Sequence, residues 1–200
     1  MKKVNLLISA MAMSFALASC SSDNVVIQNE GGGKAVKEII AKNFDPEKQV
    51  QELEIKAKEE LYGELGEIRV VYWEGEKQME HVYSVEKGLQ EPKETFASER
   101  KMTHQMQKTK TIAIKEFDVE PIPQKVGEAI KLMPEEAATH NLYEYSFSFD
   151  KDGKAKQNFK INATKKGEGK TQSGRMVTTN YYEFNFKLDD AGKVVIVETP

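Results

Sequence analysis

The side chains able to do chemistry in this 200-residue chain are few in kind, and their spacing limits them further. There is one cysteine, Cys20, and there are three histidines, His81, His104 and His140. A thiolate is a strong nucleophile and a soft metal ligand. A single one excludes an intrachain disulfide and every cysteine-based zinc site. The histidines fall on separate predicted elements, with no His-x-His or His-Glu-x-x-His pair, so a metal site would need carboxylates that sequence does not place. No serine occupies a Gly-x-Ser-x-Gly elbow, which leaves nucleophilic hydrolysis without a visible carrier. The acid pairs Glu59-Glu60 and Glu135-Glu136 could serve a glycosidase that draws two carboxylates from distant elements, but their setting predicts solvated helix faces. No catalytic residue, metal or cofactor is expected.

The glycine-bearing stretches read as turns. "GEGKTQSG" at 167–174 lacks the glycine that a phosphate-cradling loop needs at position 164, where Thr164 stands, and strands are predicted on both sides instead of a following helix. "DKDGK" at 150–154 has two aspartates at calcium-loop spacing, but Lys154 and Ile161 stand where further ligands belong. Asp-Gly between alternating strands signals a hairpin, and "DDAGK" at 189–193 reads the same way. Eight basic residues crowd residues 150–175, and Lys154, Lys156, Lys165, Lys166 and Lys170 make a candidate basic patch. It would suit an anionic glycan or lipid headgroup; a lysine-rich hairpin face that resists edge aggregation explains it as well.

The cysteine has a telling address. Lys2 and Lys3 precede an apolar run from Leu6 to Leu17, too short for the roughly 20 residues that span a bilayer. The sequence Leu17-Ala18-Ser19-Cys20 follows. It resembles the lipobox of bacterial lipoproteins at all four positions. The resemblance implies a cleaved signal over residues 1–19, diacylglycerol on the Cys20 thiol, and palmitate-type acylation of the new amino group. Two or more chains hold stably where one is marginal. Ser21, not Asp, follows the cysteine, and in that family this points to the outer membrane, with the periplasmic face or the cell surface left open. Removing the signal takes two lysines from 29 basic and 32 acidic residues, leaving a net charge of −5. That balance argues against a nucleic-acid partner, whose phosphates must be neutralised.

These residues hang on a predicted tether and body. "SSDNVVIQNEGGG", 21–33, reads as a flexible tether after Cys20. The second half is the clearer one. Val126, Ala129, Ile130 and Met133 predict an amphipathic helix over 123–133, and Pro134 opens a helical turn over 135–140. From Tyr143 the period becomes two: strands are predicted over 143–149, 155–163, about 176–188 and 194–197. In the first half, Ala35, Ile39 and Ile40 suggest a short helix. Asp45-Pro46 opens a longer one through Val50, Leu53, Ala57 and Leu61. Strands follow over 68–73 and 79–85 around the turn "EGEK", and 111–119 looks strand-like.

The expectation is α+β: short helices packed on antiparallel sheet, with units at 34–120 and 121–200 that could be tandem helix-helix-four-strand repeats. This order is similar to the tandem modules of secreted β-lactamase-inhibitor proteins, a likeness of element order that transfers no function. An exported, lipid-anchored binding or accessory module is the leading function, its partner a protein, peptide or glycan of the envelope. The alternatives are a glycan-directed hydrolase and a carrier of hydrophobic cargo. Thr179, Tyr181 and Asn185 alternate with the apolar face of the predicted 176–188 strand, and form the candidate binding face.

Overall fold

The computed structural model describes residues 25–167, 170–173 and 176–197. In chain order the elements are α1 (Gly32–Asn43), β1 (Gln49–Val50), β2 (Glu52–Glu59), β3 (Tyr62–Glu74), β4 (Lys77–Ser84), β5 (Gly88–Leu89) and β6 (Lys93–Glu94). Then come α2 (Phe96–Glu99), β7 (Ile112–Ala113), a 3-10 turn Ile114–Glu116, α3 (Ile122–Ile130), β8 (Ala137–Phe149) and β9 (Ala155–Lys165). The last are β10 (Lys170–Ser173), β11 (Met176–Thr179), β12 (Tyr182–Leu188) and β13 (Val194–Ile196). The fold is α+β.

One antiparallel sheet runs β13-β12-β9-β8-β2-β3-β4-β5, with β6 also paired to β4. Both halves of the chain contribute to it, and they meet where β2 pairs with β8, Ile55 opposite Tyr145. One sheet face is apolar. Leu53, Ile55, Ile68, Val70, Tyr145, Phe159 and Ile161 project from it into a core completed by Val36 and Ile40 of α1 and Val126 and Ala129 of α3. Aromatic rings form a row across neighbouring strands: Tyr145 stacks on Phe159 at 5.0 Å, and Phe159 on Phe186 at 5.3 Å. Offset stacking of this kind adds to the hydrophobic gain.

The turns form as their residues dictate. In "DKDGK", Asp150 Oδ1 accepts from the N–H groups of Asp152 and Lys154 at 3.0 and 2.9 Å, and Gly153 takes a positive φ of 76°. Asp189 does the same for Ala191 and Lys193, with Gly192 at 74°. The stretch 167–174 lies partly outside the described residues, but Lys170–Ser173 form a strand hairpinned to β11, not a helix.

Four expectations are corrected. The helix predicted from Asp45 is absent: Asp45 Oδ1 caps a short turn by accepting from Glu47 N at 3.0 Å, and residues 52–59 are strand β2. Pairing on both flanks, with β3 and β8, outweighs the helical spacing. No second helix follows Pro134, because Ala137 N closes a turn on Pro134 O and β8 begins there. The predicted 176–188 strand is two strands, broken at Asn180–Tyr181, of which only β12 joins the main sheet. The strand-like 111–119 gives a two-residue strand and a 3-10 turn.

Residues 25–33 are likewise not a tether. Ile27 is fully buried, Val26 bridges to Glu64, and Ile27 N donates to Gly63 O at 2.9 Å. Gln28 finishes the job: its Nε2 donates to His140 O at 2.8 Å and its Oε1 accepts from Leu142 N at 2.5 Å. The side-chain amide thus takes the place of a peptide group beside β8. Residues 1–24, with Cys20 and the segment before it, lie outside the described residues.

Candidate functional site

Strand alternation puts the chemistry on the sheet face turned away from α1 and α3. Leu53 and Ile55 point to the core, so Glu52, Glu54 and Lys56 project outward. Register then aligns them: Glu54 lies opposite Arg69 on β3, and Glu52 opposite Val71, which in turn faces Glu80 on β4. Arg69 becomes the centre of a carboxylate ring. Its Nη2 donates to Glu52 Oε1 and to Glu54 Oε2, both at 2.7 Å, and its Nη1 reaches Glu80 Oε2 at 3.5 Å. Lys93 adds a second cation at 3.1 Å from Glu80. Three acids against two bases leave a surplus negative charge.

The site is sheltered enough for these charges to matter. Burial opposes the charge on Arg69, but hydrogen bonding to Glu54 and the charges of the three glutamates outweigh it and hold the guanidinium above its ordinary pKa. Burial pushes the Glu52 carboxyl up, against the pull of Arg69.

A strap over residues 95–109 crosses the outer face. It is pinned at its start by Thr95 N to Gln78 O at 2.9 Å and Thr95 Oγ1 to Gln78 Oε1 at 3.0 Å. Thr95 also caps α2 by accepting from Ser98 N at 3.3 Å. At its end Lys108 Nζ donates to Gly75 O at 2.9 Å and lies 4.9 Å from the Trp73 ring centroid. Between strap and sheet is a cleft of about 470 Å³, floored by Glu52, Arg69 and Glu80 and walled by Phe96, His104 and Phe149. The Phe96 side chain is 64% exposed, with the Arg100 guanidinium 5.5 Å from its ring. The cleft therefore offers carboxylate oxygens to a donor-bearing ligand and an aromatic surface to stack on.

The residues singled out from sequence fall elsewhere. Asn185 does sit on the outer face, opposite Lys160, and donates to Glu183 Oε1 at 3.3 Å. Thr179 lies on β11, which pairs only with β10, and Tyr181 is in the break before β12. The three do not form one strand face, because the strand is interrupted between them. The basic patch also divides. Lys154 is paired with Asp190, and Lys156 with Asp150 at 3.4 Å, at one end of β9. Lys165 and Lys166 lie at the other end, roughly 33 Å away at 3.3 Å per residue, where Lys166 Nζ donates to Glu135 O at 2.8 Å. Lys170 begins β10, and Arg175 is outside the described residues.

His81 stacks edge-on against Phe44 at 5.5 Å, and His140 lies in the irregular start of β8, its pKa lowered by burial and by Lys166. Among the described residues no three His, Cys, Asp or Glu side chains are grouped to hold a metal, and no helix is long and apolar enough to cross a membrane. The alternation Glu52-Leu53-Glu54-Ile55-Lys56-Ala57 was the sequence signal that could have found the carboxylate ring. No family model, curated protein or solved structure matches the chain.

Proposed function

We propose that the chain is an exported lipoprotein, acylated at Cys20 and held at the outer membrane, whose body is a non-catalytic binding module. The cleft between the strap and the acidic part of the sheet is its recognition site. The observation that carries this reading is Phe96, a large apolar side chain 64% exposed at the mouth of a 470 Å³ cleft floored by charged groups. An aromatic anchor beside satisfied polar groups is the usual make-up of a recognition site. The ligand it fits carries hydrogen-bond donors, as a peptide or a glycan does. The glutamates are held by Arg69, which suits them to fixed recognition more than to proton transfer.

We further infer that the two halves descend from one duplicated unit. In its support, each half packs one helix on the apolar face, α1 and α3, and lays four strands in succession outward from the centre, β2–β5 and then β8, β9, β12 and β13, with β6 and α2 additional in the first half; the first strand of each set pairs with the other at the centre.

Affinity capture from the envelope with the mature protein identifies the partner, and titration of that purified partner against wild type and Phe96→Ser tests the site. Weakened binding by a folded variant supports the cleft; unchanged affinity refutes it.

A further inference from the structure

We infer that one end of the sheet rests against the lipid surface and presents the cleft away from it. The inference rests on the lipid-anchor reading. Because residues 25–33 are packed into the body, only Ser21 to Asn24 separate Cys20 from the first packed residue. At 3.3–3.6 Å per residue, the five steps from Cys20 to Val25 reach roughly 17 Å at most. An acylated Cys20 therefore cannot let the body roam; it holds whichever surface surrounds Val25 close to the bilayer.

Pairing defines that surface. Val25 O accepts from Leu65 N at 2.7 Å, next to Val85, whose N–H donates to Gly66 O. This is the end of the sheet where β2 turns into β3, where β4 gives way to β5, and where β8 and β12 begin and β9 ends. The three tight turns at 75–76, 150–153 and 189–192 lie at the opposite end.

The two ends differ in kind. Eight large hydrophobic side chains are exposed among the described residues. Tyr62, Leu89, Leu132, Tyr181 and Tyr182 lie at the anchor end, between 41% and 61% exposed. The other three are Phe96 at the cleft, and Ile196 and Val197 on the β13 edge. The far turns carry Glu76, Lys151, Asp152 and Asp190 instead. Tyrosine, with an apolar ring and a polar tip, is the side chain that settles at the headgroup layer.

The charge at the anchor end is nearly balanced. Glu59, Glu60, Glu64, Glu86, Glu135 and Glu136 face Lys58, Lys87, Lys131, Lys165 and Lys166. A near-neutral rim does not seek anionic lipid, so the surface it fits is zwitterionic and is held by aromatic contact and the anchor. The geometry then sets the height of the cleft. From Tyr62 to Arg69, on the floor of the cleft, is seven residues along β3, roughly 23 Å at 3.3 Å each.

Acylation leaves the mature chain without a free thiol, so a cysteine introduced singly at 62, 132 or 152 accepts one fluorophore. The lipidated variants are reconstituted in phosphatidylethanolamine–phosphatidylcholine vesicles whose headgroups carry a nitroxide quencher. The expected result is loss of most fluorescence at positions 62 and 132 and none at 152. Quenching at 62 alone means that the body pivots on its anchor and overturns the inference, as does equal response at all three positions. Protein that fails to float with the vesicles overturns the anchor reading, and the orientation with it.

Discussion

Gly33→Ala separates a packed N-terminal segment from a loose one by the sign of its effect. Gly33 lies in the first turn of α1, and a Cβ there would stand 2.5 Å from Glu120 O and 2.6 Å from Val119 O, where ordinary contact begins at 3.4 Å. Both obstructions are backbone, so α1 or the 119–120 segment must move by nearly 1 Å. Overpacking of this kind costs about 1–3 kcal/mol. Against it stands the helix preference of alanine over glycine, about 0.8–1.0 kcal/mol. With the clash at the upper end of its range, the net loss is about 2 kcal/mol, or about 1 M in urea midpoint for a slope near 2 kcal/mol/M. Gly127, in α3, is the control: nothing lies within 4 Å of its Cβ position. Gly127→Ala should therefore stabilise by close to the full propensity gain. Urea titration followed by the single tryptophan, Trp73, measures both. Gly33→Ala at or above wild-type stability would refute the close approach of α1 to residues 119–120.

Two other outcomes follow from the sheet. Phe186 is buried in the ring stack while Phe184 on the same face is partly exposed, so Phe186→Ala should cost about 3–5 kcal/mol and Phe184→Ala clearly less; equal urea midpoints would place the wall of the core wrongly. Glu52 titrates above the ordinary glutamate value, so the stability it contributes is full at acid pH and is lost as pH rises through its folded value. The difference between wild type and Glu52→Gln should then shrink or turn against wild type as pH rises above the ordinary glutamate range; parallel stability profiles would mean that burial does not govern this carboxyl.

The second half of the fold was legible because its strands announce themselves twice over. Tyr143, Tyr145, Phe147 and Phe149 alternate with polar residues, and Asp-Gly and Asp-x-x-Gly turns close the hairpins at predictable places. The first half misleads at β2. Val50, Leu53, Ala57 and Leu61 fit a helical stripe, but that stripe omits Ile55, which is fully buried. The seven residues from Glu52 to Lys58 alternate without exception, and a β-branched residue sits at their centre. Two templates compete over such a stretch, and the partners that decide between them, Val70 and Phe147, come from other parts of the chain. "GGG" misleads for a different reason. Glycine serves a linker through freedom, and a crowded helix start through smallness; composition is the same in both cases.

The cleft was the hardest part to read because its parts are scattered and each is ordinary alone. Glu52, Arg69 and Glu80 come from three strands, and they converge only once register fixes Glu54 opposite Arg69 and Val71 opposite Glu80. A one-residue slip of β2 would turn all its carboxylates into the core, so burial of Leu53 and Ile55 is what positions the charge. The strap has no regular pattern to detect. Its path is set by Gln78, a buried polar side chain on β4, whose carbonyl groups receive Thr95 and whose N–H donates to Ser98 Oγ at 3.2 Å. With the strap fixed there, Phe96 follows the Thr95 cap in the first turn of α2 and is left exposed. Core packing sets the strand register, register gathers the carboxylates, and one buried glutamine places the aromatic side chain above them.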